Sequence, residues 1–154
     1  MIDTHCHLYD KKLIHKLNQI IENAYSANIE KMICIGDTLG TSDKSIQIAE
    51  KYNNIYASVG IHPHESKLAP ENYLSQIKQK VKHHKVVAIG EIGLDYYYNL
   101  SDKKHQKPVF LEQLKLAKQL DLPAIVHCRN AEKDVYDTIL KSKHNQGVIH
   151  CFSG

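Results

Sequence analysis

Short apolar runs alternate along this chain with longer stretches of helical periodicity. The runs are Lys31–Ile35, Ile55–Val59, Val86–Ile89, Ala124–Val126 and Val148–Ile149, with a minimal one at Ile2. Most lack in/out alternation and are rich in β-branched residues, the pattern of strands buried on both faces of a parallel sheet. Between them apolar residues recur at helical spacing: Leu13, Leu17, Ile20, Ile21 and Ala24, then Leu74, Ile77 and Val81. Phe110, Leu114 and Ala117 repeat the pattern, as do Val135 and Ile139, and this spacing predicts amphipathic helices. Ser101 and Asn130 are the expected N-caps, Pro70 a first helical residue, and Asn28 the residue that closes the first helix.

Six strands alternating with five helices predict an α/β domain built on a parallel sheet, and two architectures compete. A doubly wound dinucleotide fold would carry G-x-G-x-x-G after its first strand, and none is present; a P-loop is absent too. The other is a (β/α)₈ barrel, which typically takes about 250 residues. Residues 1–154 then read as a single, incomplete barrel domain holding the first six strands. Six units would leave two unpaired strand edges, so either more chain or something else is expected to supply the missing edge.

Composition narrows the class without choosing a function. With 42% hydrophobic and 24% charged residues in 154, the chain is ordinary globular material, which excludes a disordered tail and a small disulfide scaffold. A net charge of +3 is too mild to indicate a nucleic-acid binder, and Lys78, Lys80, Lys82 and Lys85 read as a solvated helix face. No signal-peptide pattern opens the chain, and no apolar run approaches the roughly 20 residues of a membrane span. Cys6, Cys34, Cys128 and Cys151 show no C-x-x-C spacing, so reduced thiols and a cytoplasmic setting are expected. Cys128 and Cys151, each following a histidine, are expected to turn away as small buried hydrophobes.

The unusual residue is histidine, eleven in all. Six fall at or just after the C-terminal ends of expected strands: His5 and His7, His62 and His64, His127, and His150. Glu91 follows the fourth run, and the other five histidines (His15, His83, His84, His105, His144) read as solvated. In a parallel α/β fold all strand C-termini open on one rim, so these side chains should converge there as a divalent-metal site. A single strand-end histidine is more often a hydrogen-bonded structural group; it is the joint pattern that favours a metal. Period-2 alternation sets His5 and His7 on one face and Cys6 on the other. Tyr96–Tyr98 reads as packing over the rim or as a stacking platform for bases, with packing favoured. Arg129 reads as a phosphate clamp or a helix-start contact.

The segments IDTHCHL (2–8), VGIHPH (59–64), IGEIGLDYY (89–97), VHCR (126–129) and IHCFSG (149–154) together resemble the TatD family of metal-dependent deoxyribonucleases, amidohydrolase-like TIM barrels. The resemblance extends over the whole chain. It implies a Mg²⁺- or Mn²⁺-dependent hydrolase that cleaves phosphodiester bonds of DNA from the 3′ end by metal-activated water. Up to two metals are implied, with His5 and His7 on one, His127 and His150 on the other, and Glu91 bridging. His62 and His64 would sit by the substrate as catalytic partners of Glu91, with Arg129 also binding substrate. The resemblance allows RNA as a further substrate, and no membrane or obligate protein partner is expected. The imidazole-rich donor set by itself suits Zn²⁺ or Mn²⁺ better than Mg²⁺.

Two other readings stand beside this one. An amidohydrolase or esterase, including one that deacylates aminoacyl-tRNA, would use the same barrel, generally with a carboxylated lysine where Glu91 stands. A truncated, inactive copy would keep these motifs without turnover, since the family's aspartate on its last strand has no counterpart in this chain.

Overall fold

The computed structural model describes residues 1–152. Ser153 and Gly154, the last two residues of the 149–154 segment, lie outside them. Six strands form one sheet in sequence order, every neighbour pair parallel. They are β1 (Ile2–Cys6), β2 (Lys31–Cys34), β3 (Ile55–Val59), β4 (Val86–Asp95), β5 (Ala124–Arg129) and β6 (Gly147–Ile149). The helices α1 (Leu17–Ser26), α2 (Leu39–Lys51), α3 (Tyr73–Lys80), α4 (Lys103–Gln119) and α5 (Glu132–Ser142) occupy the connections. No described helix is long and apolar enough to cross a membrane.

Alternation along the strands divides the core. Met32, Cys34, Ala124 and Val126 join the large cluster that contains the helix residues Ile77, Phe110, Leu114 and Val135. Their neighbours Ile33, Ile35, Ala88 and Ile125 form a second, small cluster. Each fully buried leucine, isoleucine or phenylalanine contributes roughly 1.5–3 kcal/mol, so the helix-side cluster dominates stability. The sheet curls: the imidazoles of His5 in β1 and His150 just past β6 stack at 3.5 Å between centroids, although their strands are the two sheet edges.

Helix ends depart from expectation in informative ways. Asn28 does follow the end of α1 in the left-handed region, at φ 61°. Asp102 and Ala131, not Ser101 and Asn130, occupy the N-cap positions of α4 and α5. Ser101 instead accepts the Lys67 N–H at 3.1 Å and donates to the His64 carbonyl at 2.7 Å, tying two loops of the rim together. Pro70 precedes α3 as a turn residue whose carbonyl accepts the Tyr73 N–H. α2 begins at a reciprocal cap in which Thr38 Oγ1 and Thr41 Oγ1 each accept the other's backbone N–H.

β4 runs to Asp95, well past the apolar run that signals it. Glu91 and Asp95 therefore lie inside a strand buried almost throughout, two residues either side of Gly93. Gly93 has φ 142°, and a Cβ there would collide with the His127 carbonyl, so only glycine lets β4 approach β5 this closely. His144, expected on a solvated face, is buried at 6% exposure. Cys151, expected to be buried, is exposed because β6 ends at Ile149 and the chain leaves the sheet before it.

Candidate metal centre

The C-terminal ends of the strands carry a cleft of about 560 Å³, within the usual range for ligand sites. His5, His7, His62, His64, Glu91, His127, His150 and Arg129 all line it. The sequence-predicted residues are thus brought to one place, from the ends of four strands and from the loop after β3.

Glu91 is at the centre. Its side chain is 6% exposed, with Oε2 3.3 Å from His5 Nε2 and 4.0 Å from His62 Nε2. Its other oxygen, Oε1, is 3.1 Å from His127 Nδ1. Burial opposes ionisation, but the hydrogen bonds with His127 and His5 and the nearby His62 outweigh it and hold the carboxyl below the usual range. Glu91 is therefore an anion across the physiological range.

Two sets of donor atoms lie within 4.8 Å of one another: His5, His7 and Glu91, and His62, Glu91 and His127. Both fit a divalent cation. Imidazole and carboxylate together suit the first-row metals, and His5 Nδ1 is buried with no hydrogen-bond partner among the described residues. The second set differs from the one the resemblance implies. His62 lies with His127 and Glu91 in this grouping, and the His150 ring packs flat on His5. The curl of the sheet is the cause, since it carries the end of β6 across to β1.

Asp95 is the residue that sequence reasoning missed. It is fully buried, and Oδ2 meets His64 Nε2 at 2.9 Å and His127 Nε2 at 3.0 Å. Its carboxyl is held low: burial works against ionisation, but the Tyr98 N–H and the two imidazoles prevail. A carboxylate that orients a histidine from behind fixes its tautomer and raises its basicity. The available signal was spacing, because Glu91 and Asp95 stand four residues apart on one strand and so face the same way. On the far side, the Tyr9 hydroxyl donates to Asp37 Oδ2 at 2.5 Å and lies 2.9 Å from His7 Nδ1. Burial pushes the Asp37 carboxyl up.

The histidines are pulled in opposite directions. Burial lowers His62 from 6.5 to about 3, so its ring is neutral at pH 7. His127 is also penalised by burial, but Glu91 and Asp95 raise it overall. The sign of the pH dependence follows. His62, with its value depressed in the folded state, loses stability as pH falls from 6.5 towards 3. Glu91 and Asp95, also depressed, add to the loss once pH drops below about 4. His127 gains on protonation, a gain that fades as pH rises through its raised value, and the raised Asp37 carboxyl likewise opposes part of the acid loss. The melting temperature of the metal-free chain is expected to fall steadily below about pH 6. A His62→Gln variant should flatten the decline between pH 6 and 4, and an unchanged slope would refute the assignment.

The sequence profile of a family described as TatD related DNase matches residues 2–154. An uncharacterized metal-dependent hydrolase, YabD of Bacillus subtilis (strain 168), is 40% identical over 100% of this chain and 61% of its own length. The 3′-5′ ssDNA/RNA exonuclease TatD of Cronobacter sakazakii is 32% identical over 100% of the chain and 59% of its own. The crystal structure of YJJV, a TatD homologue from Escherichia coli K12, superposes with a TM-score of 0.92 at 32% identity, covering 100% of this chain and 61% of that one. The chain thus spans about 60% of the length of these relatives, and its six strands form a half-barrel matching that structure.

Proposed function

This chain belongs to the family of TatD related DNases, and from that premise we propose that it hydrolyses phosphodiester bonds of single-stranded DNA or RNA from the 3′ end, using divalent metal ions. The observation that carries this reading is one buried carboxylate, Glu91, with His5 and His62 at one oxygen and His127 at the other. His5, His7 and Glu91 would hold one ion, and His62, Glu91 and His127 a second, with His150 supporting His5. Residues 1–154 act here as one barrel-type unit.

The side chains divide the work. Ions bound there would neutralise phosphate oxygens and lower the pKa of water. Glu91, ionised and buried, sets the spacing of the imidazoles on either side of it. His62, neutral and with Nδ1 taken by the His64 N–H, offers Nε2 to the second ion without adding positive charge to the site. His64, 24% exposed and held at Nε2 by Asp95, orients the phosphate from the open side of the cleft. Arg129 stands at the rim as an anion-binding group with a planar fork of donors.

The test is hydrolysis of a short single-stranded DNA by chain 1–154 with Mn²⁺, Zn²⁺ or Mg²⁺ added to metal-free protein. Products shortened from the 3′ end and abolished by chelator are expected. Turnover of aminoacyl-tRNA or cyclic amides but not of DNA would replace this reading with the amidohydrolase one. Metal analysis of protein purified without added ions identifies the cation.

A further inference from the structure

Beyond the histidines, the rim beside Arg129 carries two tyrosines that those roles do not use. Tyr97 and Tyr98 are 59% and 55% exposed, large aromatic surfaces left in water. The Arg129 guanidinium lies 4.7 Å from the Tyr97 ring centre and 5.3 Å from that of Tyr98. The two rings meet edge to face at 4.8 Å. Among the described residues Arg129 is placed by these rings and by no carboxylate, so its charge is free for an incoming anion.

The group is rigidly placed relative to the metal centre. Asp95 Oδ1 accepts the backbone N–H of Tyr97 at 3.0 Å and of Tyr98 at 2.8 Å, while Oδ2 holds His64 and His127. One buried carboxylate thus fixes both the histidines and the turn that carries the tyrosines. The Tyr98 ring stands edge-on to His64 at 5.7 Å, so the aromatic surface begins directly beside a residue of the centre. Arg129 is the last residue of β5, two positions after His127 and on the same face of the strand.

We propose that Tyr97, Tyr98 and Arg129 form a subsite for one unpaired nucleotide of a single-stranded polynucleotide, its base stacking on the tyrosines and its phosphate meeting the guanidinium. The proposal rests on the nuclease reading above and specifies how substrate is gripped. An exposed tyrosine face recognises any base, and a base held within a duplex cannot reach it, so the subsite selects single strands without selecting sequence. A planar guanidinium braced on aromatic rings keeps its donors aligned for phosphate oxygens, which a lysine would not do.

The test is binding without turnover. The probes are a fluorescein-labelled hexathymidylate with phosphorothioate linkages and the same oligomer lacking its 3′-terminal base, both in Mn²⁺. Wild-type chain is expected to bind the intact probe about 10-fold tighter, the range of base–aromatic stacking. A Tyr97→Ala/Tyr98→Ala double variant should bind both probes alike, and the double phenylalanine variant should keep the preference. Arg129→Lys should weaken both probes equally. A wild type indifferent to the missing base, or an alanine variant that still prefers the intact probe, overturns the subsite while leaving the nuclease reading intact. Failure of wild type to bind either probe or to cleave DNA overturns both.

Discussion

Replacing Glu91 with glutamine is expected to remove metal binding, because the variant keeps the shape and loses the charge shared by both donor sets. Loss of a mere supporting partner costs 10–100-fold in metal affinity or activity, and a residue reaching both sets should exceed about 100-fold. Thermal unfolding gives a readout independent of turnover. At a metal concentration 100 times the dissociation constant, the wild type gains about 2.7 kcal/mol. For a chain of this length that raises the melting temperature by roughly 5–11 °C. Glu91→Gln should show no rise under the same conditions, and its hydrolysis of single-stranded DNA should fall with it. A variant that retains both the metal-induced shift and wild-type rates would remove Glu91 from the centre and leave the proposed chemistry without its core.

The second large effect concerns stability and lies in α4. Gln106 is fully buried; its Oε1 accepts the Asp95 N–H at 2.8 Å, and its Nε2 donates to the carbonyls of Asp95 at 2.9 Å and Ser101 at 2.6 Å. Gln106→Leu keeps the size and leaves three buried backbone groups unpaired, each costing about 1–3 kcal/mol. A loss of about 3 kcal/mol or more is expected, a drop of roughly 6–12 °C in melting temperature. Because Asp95 holds His64, His127 and the tyrosine turn, metal affinity should weaken as well. A drop below about 2 °C would mean that water replaces the glutamine and that Asp95 is placed by other contacts.

Gln113, two turns further along α4, has the same role at a different strand end. It accepts the Ile61 N–H at 2.8 Å and donates to the Ile61 carbonyl at 3.0 Å, directly before His62. Positions 106, 110, 113 and 117 lie on one face of the helix, so both glutamines interrupt an otherwise apolar stripe. That interruption is visible in the sequence. Periodicity alone marks it as an irregularity of the core, and only the contacts identify two strand ends whose backbone needs a partner.

The strand order, the helices and the gathering of His5, His7, His62, His64, Glu91, His127 and His150 at one rim follow from local patterns. Alternation of apolar runs and helical repeats imposes a parallel sheet, and parallel strands place all their C-terminal ends together. Which of these side chains meet is settled by the packed sheet. Its curl set His150 on His5 and left His62 beside His127, a distance between first and last strands that no local spacing encodes. The same holds for Asp95, whose buried carboxylate acquires its role from β5, α4 and the loop after β3. Chemistry that depends on residue type and strand position is written along the chain, whereas chemistry that depends on the bend between strands arises only when the sheet closes its packing against the helices.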